Sequence, residues 1–172
     1  MQQPPSLVSD LGRIALRALS ISVEKCVGCR ICETVCAASH FKVNNPSKGA
    51  IRLTQFFPKP GKNVPISCRL CGKPPCVDSC PTKALGKLDD GRIQVDTEKC
   101  IGCRACADSC PFGAIFFHTD FITPIICDLC DGDPQCARYC PSGAISFMPT
   151  TLAGEANRLH YAIEQASRLE AK

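Results

Sequence analysis

CIGCRACADSCP, residues 100–111, places four cysteines in twelve positions and closes on a proline. The same arrangement recurs along the chain. Cys26, Cys29, Cys32 and Cys36 form a first group, and Cys68, Cys71, Cys76 and Cys80 a second. Cys100, Cys103, Cys106 and Cys110 form the third, and Cys127, Cys130, Cys136 and Cys140 the fourth. Groups one and three read C-x2-C-x2-C-x3-C; groups two and four widen the middle gap to four and five residues. These groups use all sixteen cysteines of the 172 residues. A cysteine content this high points to a disulfide scaffold or a metal protein.

The spacing separates these chemistries. Three thiolates on one tight loop can each reach a different iron of a cubane. A fourth, three residues on and turned away by a proline, can reach a neighbouring cluster. C-x2-C-x2-C-x3-C-P is the bacterial ferredoxin ligand pattern. Pro81, Pro111 and Pro141 follow the last cysteine of groups two, three and four; Ala37 stands there in group one, where a looser turn is expected. Structural zinc prefers two C-x2-C knuckles separated by a longer loop, which a third cysteine two residues on fits poorly. Disulfides are opposed by crowding and by the lack of a secretory pattern in residues 1–19. A radical enzyme's C-x3-C-x2-C fails because Ser39, Lys83, Gly113 and Gly143 stand at its third position. Four 4Fe-4S clusters, with iron bound by the sixteen cysteines, are the expected cofactors.

The chain is internally duplicated. ISVEKCVGCRIC (21–32) matches IQVDTEKCIGCRAC (93–106), and PISCRLCGKPPC (65–76) matches PIICDLCDGDPQC (124–136). AIRLTQFFP (50–58) and AIFFHTDFITP (114–124) lie between the paired groups. Residues 21–90 and 91–148 are thus two copies of one unit. The second is shorter: 31 residues separate Cys36 from Cys68, but 16 separate Cys110 from Cys127. The extra loop, about 38–50, carries the turn-rich NNPSKG.

In cysteine order and spacing, residues 20–148 resemble the four-cluster electron-transfer subunits of the dimethyl sulfoxide reductase type. Related subunits serve formate dehydrogenases, hydrogenase complexes, carbon monoxide dehydrogenase and tungsten aldehyde oxidoreductases. The resemblance implies an α+β fold of two pseudo-symmetric ferredoxin-like modules. Groups one and four would form module A, 21–64 with 119–148. Groups two and three would form module B, 65–118. It further implies four ligand sets: Cys26, Cys29, Cys32 and Cys140 (a); Cys36, Cys127, Cys130 and Cys136 (b); Cys68, Cys71, Cys76 and Cys110 (c); Cys80, Cys100, Cys103 and Cys106 (d). The implied role is non-catalytic, passing single electrons between a large catalytic oxidoreductase subunit and a second redox subunit or carrier. The catalytic partner would be a molybdenum or tungsten pterin enzyme, with a tungsten aldehyde oxidoreductase complex as one setting. A freely diffusing polyferredoxin and a zinc-binding module are the alternatives.

Other features narrow the class. The formal net charge of +4 counts each cysteine as neutral. An oxidised cluster with four thiolates carries about −2, which takes the loaded protein to about −4 and removes the case for nucleic acid. No apolar stretch is long enough to span a membrane, so a cytoplasmic protein is expected. No catalytic Ser-His-Asp arrangement or phosphate loop appears, and His40, His118 and His160 fall outside the ligand spacing. Gly28 and Gly102 are expected to let the loops approach a cluster. Val27, Ile31, Val35 and Ile101 are expected to shield it, and Arg30, Arg69 and Arg104 to offset its charge or face solvent. Short strands are expected at 21–23, 51–54, 93–95, 114–117 and 144–147, and short helices at the x3 steps, such as 105–110. Apolar residues spaced by three and four predict an N-terminal helix over 9–19, in an extension of residues 1–20, and a C-terminal helix in 149–172. Both are candidate surfaces for docking a partner or for self-assembly.

Overall fold

The computed structural model describes residues 16–58 and 62–152. Its helices sit where the cysteine spacing demands a turn. α1 spans Ile31–Phe41, α2 Pro75–Asp78, α3 Ala105–Asp108 and α4 Gln135–Arg138. The three short helices each stop before a Cys-Pro pair. Proline disfavours helical geometry in the residue before it. Group one has Ala37 instead, and α1 runs eleven residues, ending on Lys42 in the left-handed region at φ 57°. The expected looser turn is therefore a longer helix, because alanine lets the helix continue where proline would stop it.

Six strands pair into three antiparallel two-stranded sheets. β1 (Arg17–Ile21) pairs with β6 (Ile145–Pro149), β2 (Ile51–Gln55) with β3 (Asn63–Ser67), and β4 (Leu85–Lys87) with β5 (Ile93–Val95). The β1–β6 pair joins the chain before group one to the chain after group four, with Arg17 opposite Pro149 and Ile21 opposite Ile145. The β4–β5 hairpin lies between groups two and three. In the shorter copy, the strand expected at 114–117 reduces to one bridge, Phe116 with Ile125. That bridge matches the Arg52–Ile66 pair of the β2–β3 ladder in the longer copy.

Two expectations change at the ends. Residues 17–19, placed in a helix by their periodicity, lie in β1, because pairing with β6 overrides a short helical pattern. Pro149 closes β6, and residues 150–152 are helical. The rest of both terminal helices lies outside the described residues. No helix among the described residues is long and apolar enough to cross a membrane.

The core is built from thiols and aliphatic side chains. One cluster gathers Cys32, Cys36, Cys127 and Cys136 with Leu19, Ile51, Ile125 and Ile145. The other gathers Cys76 and Cys106 with Leu85, Ile93 and Ile115. Cys68 packs against both.

Candidate iron-sulfur sites

Each ligand loop turns through left-handed backbone. Gly28 (φ 75°) and Gly102 (φ 68°) supply it in groups one and three. A Cβ on Gly28 would stand 2.7 Å from Asn63 Oδ1, and one on Gly102 would stand 2.8 Å from Ile122 Cγ2. In groups two and four the matching residues are Leu70 and Leu129, which hold the same hand at φ 50° and 58°. A left-handed leucine costs roughly 1–2 kcal/mol, so the loop shape is imposed on these residues by their surroundings.

All sixteen thiols are free. Cys68, Cys71, Cys76 and Cys110 line one cavity, walled by Ile126, Ile93 and Phe112. Cys80, Cys100, Cys103 and Cys106 line another, with Thr82, Gly102 and Phe117. Cys36, a group-one thiol, lies within electrostatic reach of Cys127, Cys130 and Cys136 of group four, and Cys32 of group one reaches Cys136 as well. Cys26 and Cys29 act on Cys32 in the same way. Cys140 packs on the core cluster that contains Cys32. Only Cys29 and Cys103 are exposed thiols.

Cys32, Cys106, Cys127 and Cys136 are buried thiols that resist ionisation. Burial pushes Cys32 up to about 12, helped by the Glu33 carboxylate and by Cys26 and Cys29. Burial, with Cys36 and Cys68 nearby, pushes Cys127 up to about 12. Cys106 rises to about 11 by burial and its neighbours Cys103 and Cys100, and burial raises Cys136 as well. Reactive cysteines show the opposite shift. Crowded thiols that hold their protons until a cation displaces them suit metal ligation, which deprotonates a thiol outright.

The fourth cysteine of a group receives a backbone N–H. Ala84 donates to Cys80 Sγ at 3.2 Å and Ala114 to Cys110 Sγ at 3.5 Å, each four residues downstream. In group one the donor to Cys36 Sγ is Ala50, at 3.2 Å, reached only after the extra loop. Hydroxyls add to this: Thr82 Oγ1 lies 3.7 Å from Cys80 Sγ, and Ser142 Oγ 3.7 Å from Cys140 Sγ. Burial works against ionising Cys80 and Cys140, but these hydroxyls and nearby N–H groups outweigh it and hold both thiols low. Donors of this kind hold a ligand sulfur in place and tune a cluster. Two buried polar atoms, Ser67 Oγ and Glu33 Oε2, lack a hydrogen-bond partner among the described residues. A thiol-rich donor set and N–H groups aimed at sulfur fit 4Fe-4S clusters.

His40 is a site residue that the cysteine spacing did not reveal. Its Nδ1 donates to the Cys36 carbonyl at 2.9 Å and its Nε2 to Asp128 Oδ1 at 2.9 Å. Both partners only accept, so the ring carries two protons and a positive charge. The Asp128 and Cys36 hydrogen bonds, opposed by burial, raise it to about 11. Nδ1 also stands 3.9 Å from Cys36 Sγ. The available signal was the i, i+4 spacing from Cys36, which brings two residues together only on a helix that passes residue 37. His118 instead accepts the Asp120 N–H at 3.1 Å, and His160 lies outside the described residues. Arg30, Arg69 and Arg104 are all exposed. Arg30 donates to Gln55, and Arg104 sits 5.2 Å from the Phe117 ring.

A family model described as "4Fe-4S dicluster domain" matches residues 61–150, and a second of the same description matches residues 25–85. The chain is 44% identical over 87 residues to the aliphatic sulfonate oxidoreductase, polyferredoxin-like subunit of Pyrococcus furiosus, covering 49% of each. It is 34% identical over 94 residues to electron transport protein HydN of Escherichia coli, covering 51% of this chain and 52% of HydN. It is 38% identical over 88 residues to a tetrathionate reductase subunit of Archaeoglobus fulgidus, covering 49% of this chain and 41% of that one. The chain thus spans about half the length of the curated relatives it matches. Among solved structures, a chain of the active site complex BamBC of benzoyl coenzyme A reductase aligns over 90% of this chain and 97% of that one, with 28% identity and a TM-score of 0.46.

Proposed function

Because this chain belongs to the 4Fe-4S dicluster domain family, we propose that it relays single electrons through four 4Fe-4S clusters as a non-catalytic subunit of an oxidoreductase complex. A bound cluster of this type takes up and gives back one electron. What the chain supplies is spacing, insulation and tuning.

The observation that carries this reading is that fourth cysteines lie beside the thiols of other groups. Cys110 lines the cavity of Cys68, Cys71 and Cys76, Cys80 lines that of Cys100, Cys103 and Cys106, and Cys36 stands with Cys127, Cys130 and Cys136. We assign Cys140 to Cys26, Cys29 and Cys32 as the fourth set. The modules proposed are 21–64 with 119–148, supported by the β1–β6 ladder, and 65–118, supported by the β4–β5 hairpin. The exposed thiols Cys29 and Cys103 make sets a and d the outer stations. Cys127, within electrostatic reach of Cys68, joins sets b and c, so the order is a–b–c–d.

The relatives named as subunits favour a fixed catalytic partner over a free shuttle. The proposed partner is a molybdenum or tungsten pterin enzyme, of which an aldehyde oxidoreductase is one form. The test is anaerobic purification from native cells with metal analysis. About sixteen irons and sixteen sulfides per chain, with a large oxidoreductase subunit co-purifying, is the expected result. A chain holding about four zincs overturns the relay, and an iron-loaded chain recovered alone overturns the fixed partner.

A further inference from the structure

We propose that Ser67 is a potential-tuning residue: its hydroxyl donates to the sulfur of Cys127, and the apolar Ile126 stands in its place beside Cys68, so the two inner sets differ in potential. The proposal rests on the four-set reading above.

The two copies carry PISCRLC (65–71) and PIICDLC (124–130), so Ser67 and Ile126 are matched positions, each just before a ligand cysteine. Ser67 ends β3 opposite Ile51 and is 1% exposed. Its hydroxyl has no hydrogen-bond partner among the described residues. Leaving a buried hydroxyl unpaired is costly, and a nearby thiolate removes that cost by accepting from it. Cys127 is that group: Ile126, at the matched position, faces the ligand set of Cys68 in the other copy, and the repeat turns buried Ser67 toward the ligand set of Cys127 in the same way. Ile126 lines the cavity of Cys68, Cys71, Cys76 and Cys110. Each copy thus presents this position to the other copy's ligand set, one with a hydroxyl and one with hydrocarbon.

A hydrogen bond to a ligand sulfur withdraws charge and stabilises the more negative, reduced form; an apolar wall does not. Set b therefore lies above set c in potential. His40, positively charged beside Cys36, acts in the same direction. One electron is exchanged between the two inner sets, and Ser67 keeps its proton throughout. An electron at the junction rests on the Cys127 side.

The experiment is a redox titration of the anaerobic holoprotein followed by paramagnetic resonance, with iron and sulfide measured on every sample. Ser67→Ala at full iron content is expected to make one cluster about tenfold harder to reduce, about 59 mV for a one-electron couple. It should also abolish one deuterium-exchangeable proton coupling. Ile126→Ser is expected to make a different cluster easier to reduce. Four unchanged potentials in iron-loaded Ser67→Ala overturn this proposal and leave the four-cluster reading standing. Wild-type protein without iron and sulfide overturns that reading and this proposal with it. If Ser67→Ala loses its iron, Ile126→Ser decides: a raised potential supports the assignment, and unchanged potentials overturn it.

Discussion

The two copies of the repeated unit reach the same thiol geometry by different paths. In the shorter copy α3 stops ahead of Pro111, and Ala114 returns at once to donate to Cys110. In the longer copy α1 runs on to Phe41, a loop follows, and Ala50 donates to Cys36. The extra chain is also used: Phe41 stacks on Phe121 at 4.8 Å, and Lys48 pairs with Asp120 at 2.5 Å. Both contacts fall on the connection between groups three and four. Arg52 lies 4.8 Å from the ring of Phe116, its own counterpart in the repeat. The donor to the fourth sulfur is kept, while the chain length that delivers it varies.

Metal removal should have the largest effect on both copies. The described sheets are two-stranded and three of the helices have four residues, too little to fold independently. Stripping iron with a chelator should abolish most of the circular dichroism and expand the protein on a sizing column. A compact apo-protein would show that the aliphatic core suffices. Ala37→Pro should come next, because it forces the path of the shorter copy onto the longer one. It ends α1 near Cys36, separates His40 from Asp128 and costs about 3 kcal/mol. Thermal unfolding of the holoprotein measures it, and an unchanged midpoint would mean that α1 past Cys36 contributes nothing.

The glycine pair sharpens the comparison. Gly28→Ala and Gly102→Ala should each cost about 1–2 kcal/mol from left-handed strain. Gly102→Ala should cost more, because its Cβ also meets the Ile122 carbonyl oxygen at 3.0 Å, whereas the nearest atoms facing Gly28 belong to the side chains of Asn63 and Gln55. Iron-release rates rank them. The smallest effect concerns the outer sets. Thr82→Val and Ser142→Ala each remove a hydroxyl 3.7 Å from a ligand sulfur. Each should lower one potential by about 30 mV, about threefold in its equilibrium, in a titration at constant pH.

Much of this was legible in the sequence because thiol spacing is a geometric statement. The strand at 93–95 falls where expected, and β2 extends the 51–54 expectation by one residue. β3 was hidden by Pro65, which reads as a breaker but sits in a two-stranded ladder with one edge free. Residues 17–19 read as helix because a short apolar run fits either period until its partner, β6, is known. His40 stayed invisible because its role depends on α1 continuing past a position that holds proline in the other three groups.

The crossing of fourth cysteines is tested most directly by anomalous diffraction at the iron edge on crystals of the holoprotein. The account predicts four compact iron sites, with Cys110 completing the site of Cys68, Cys71 and Cys76. Iron held by Cys68, Cys71, Cys76 and Cys80 of a single group would contradict it.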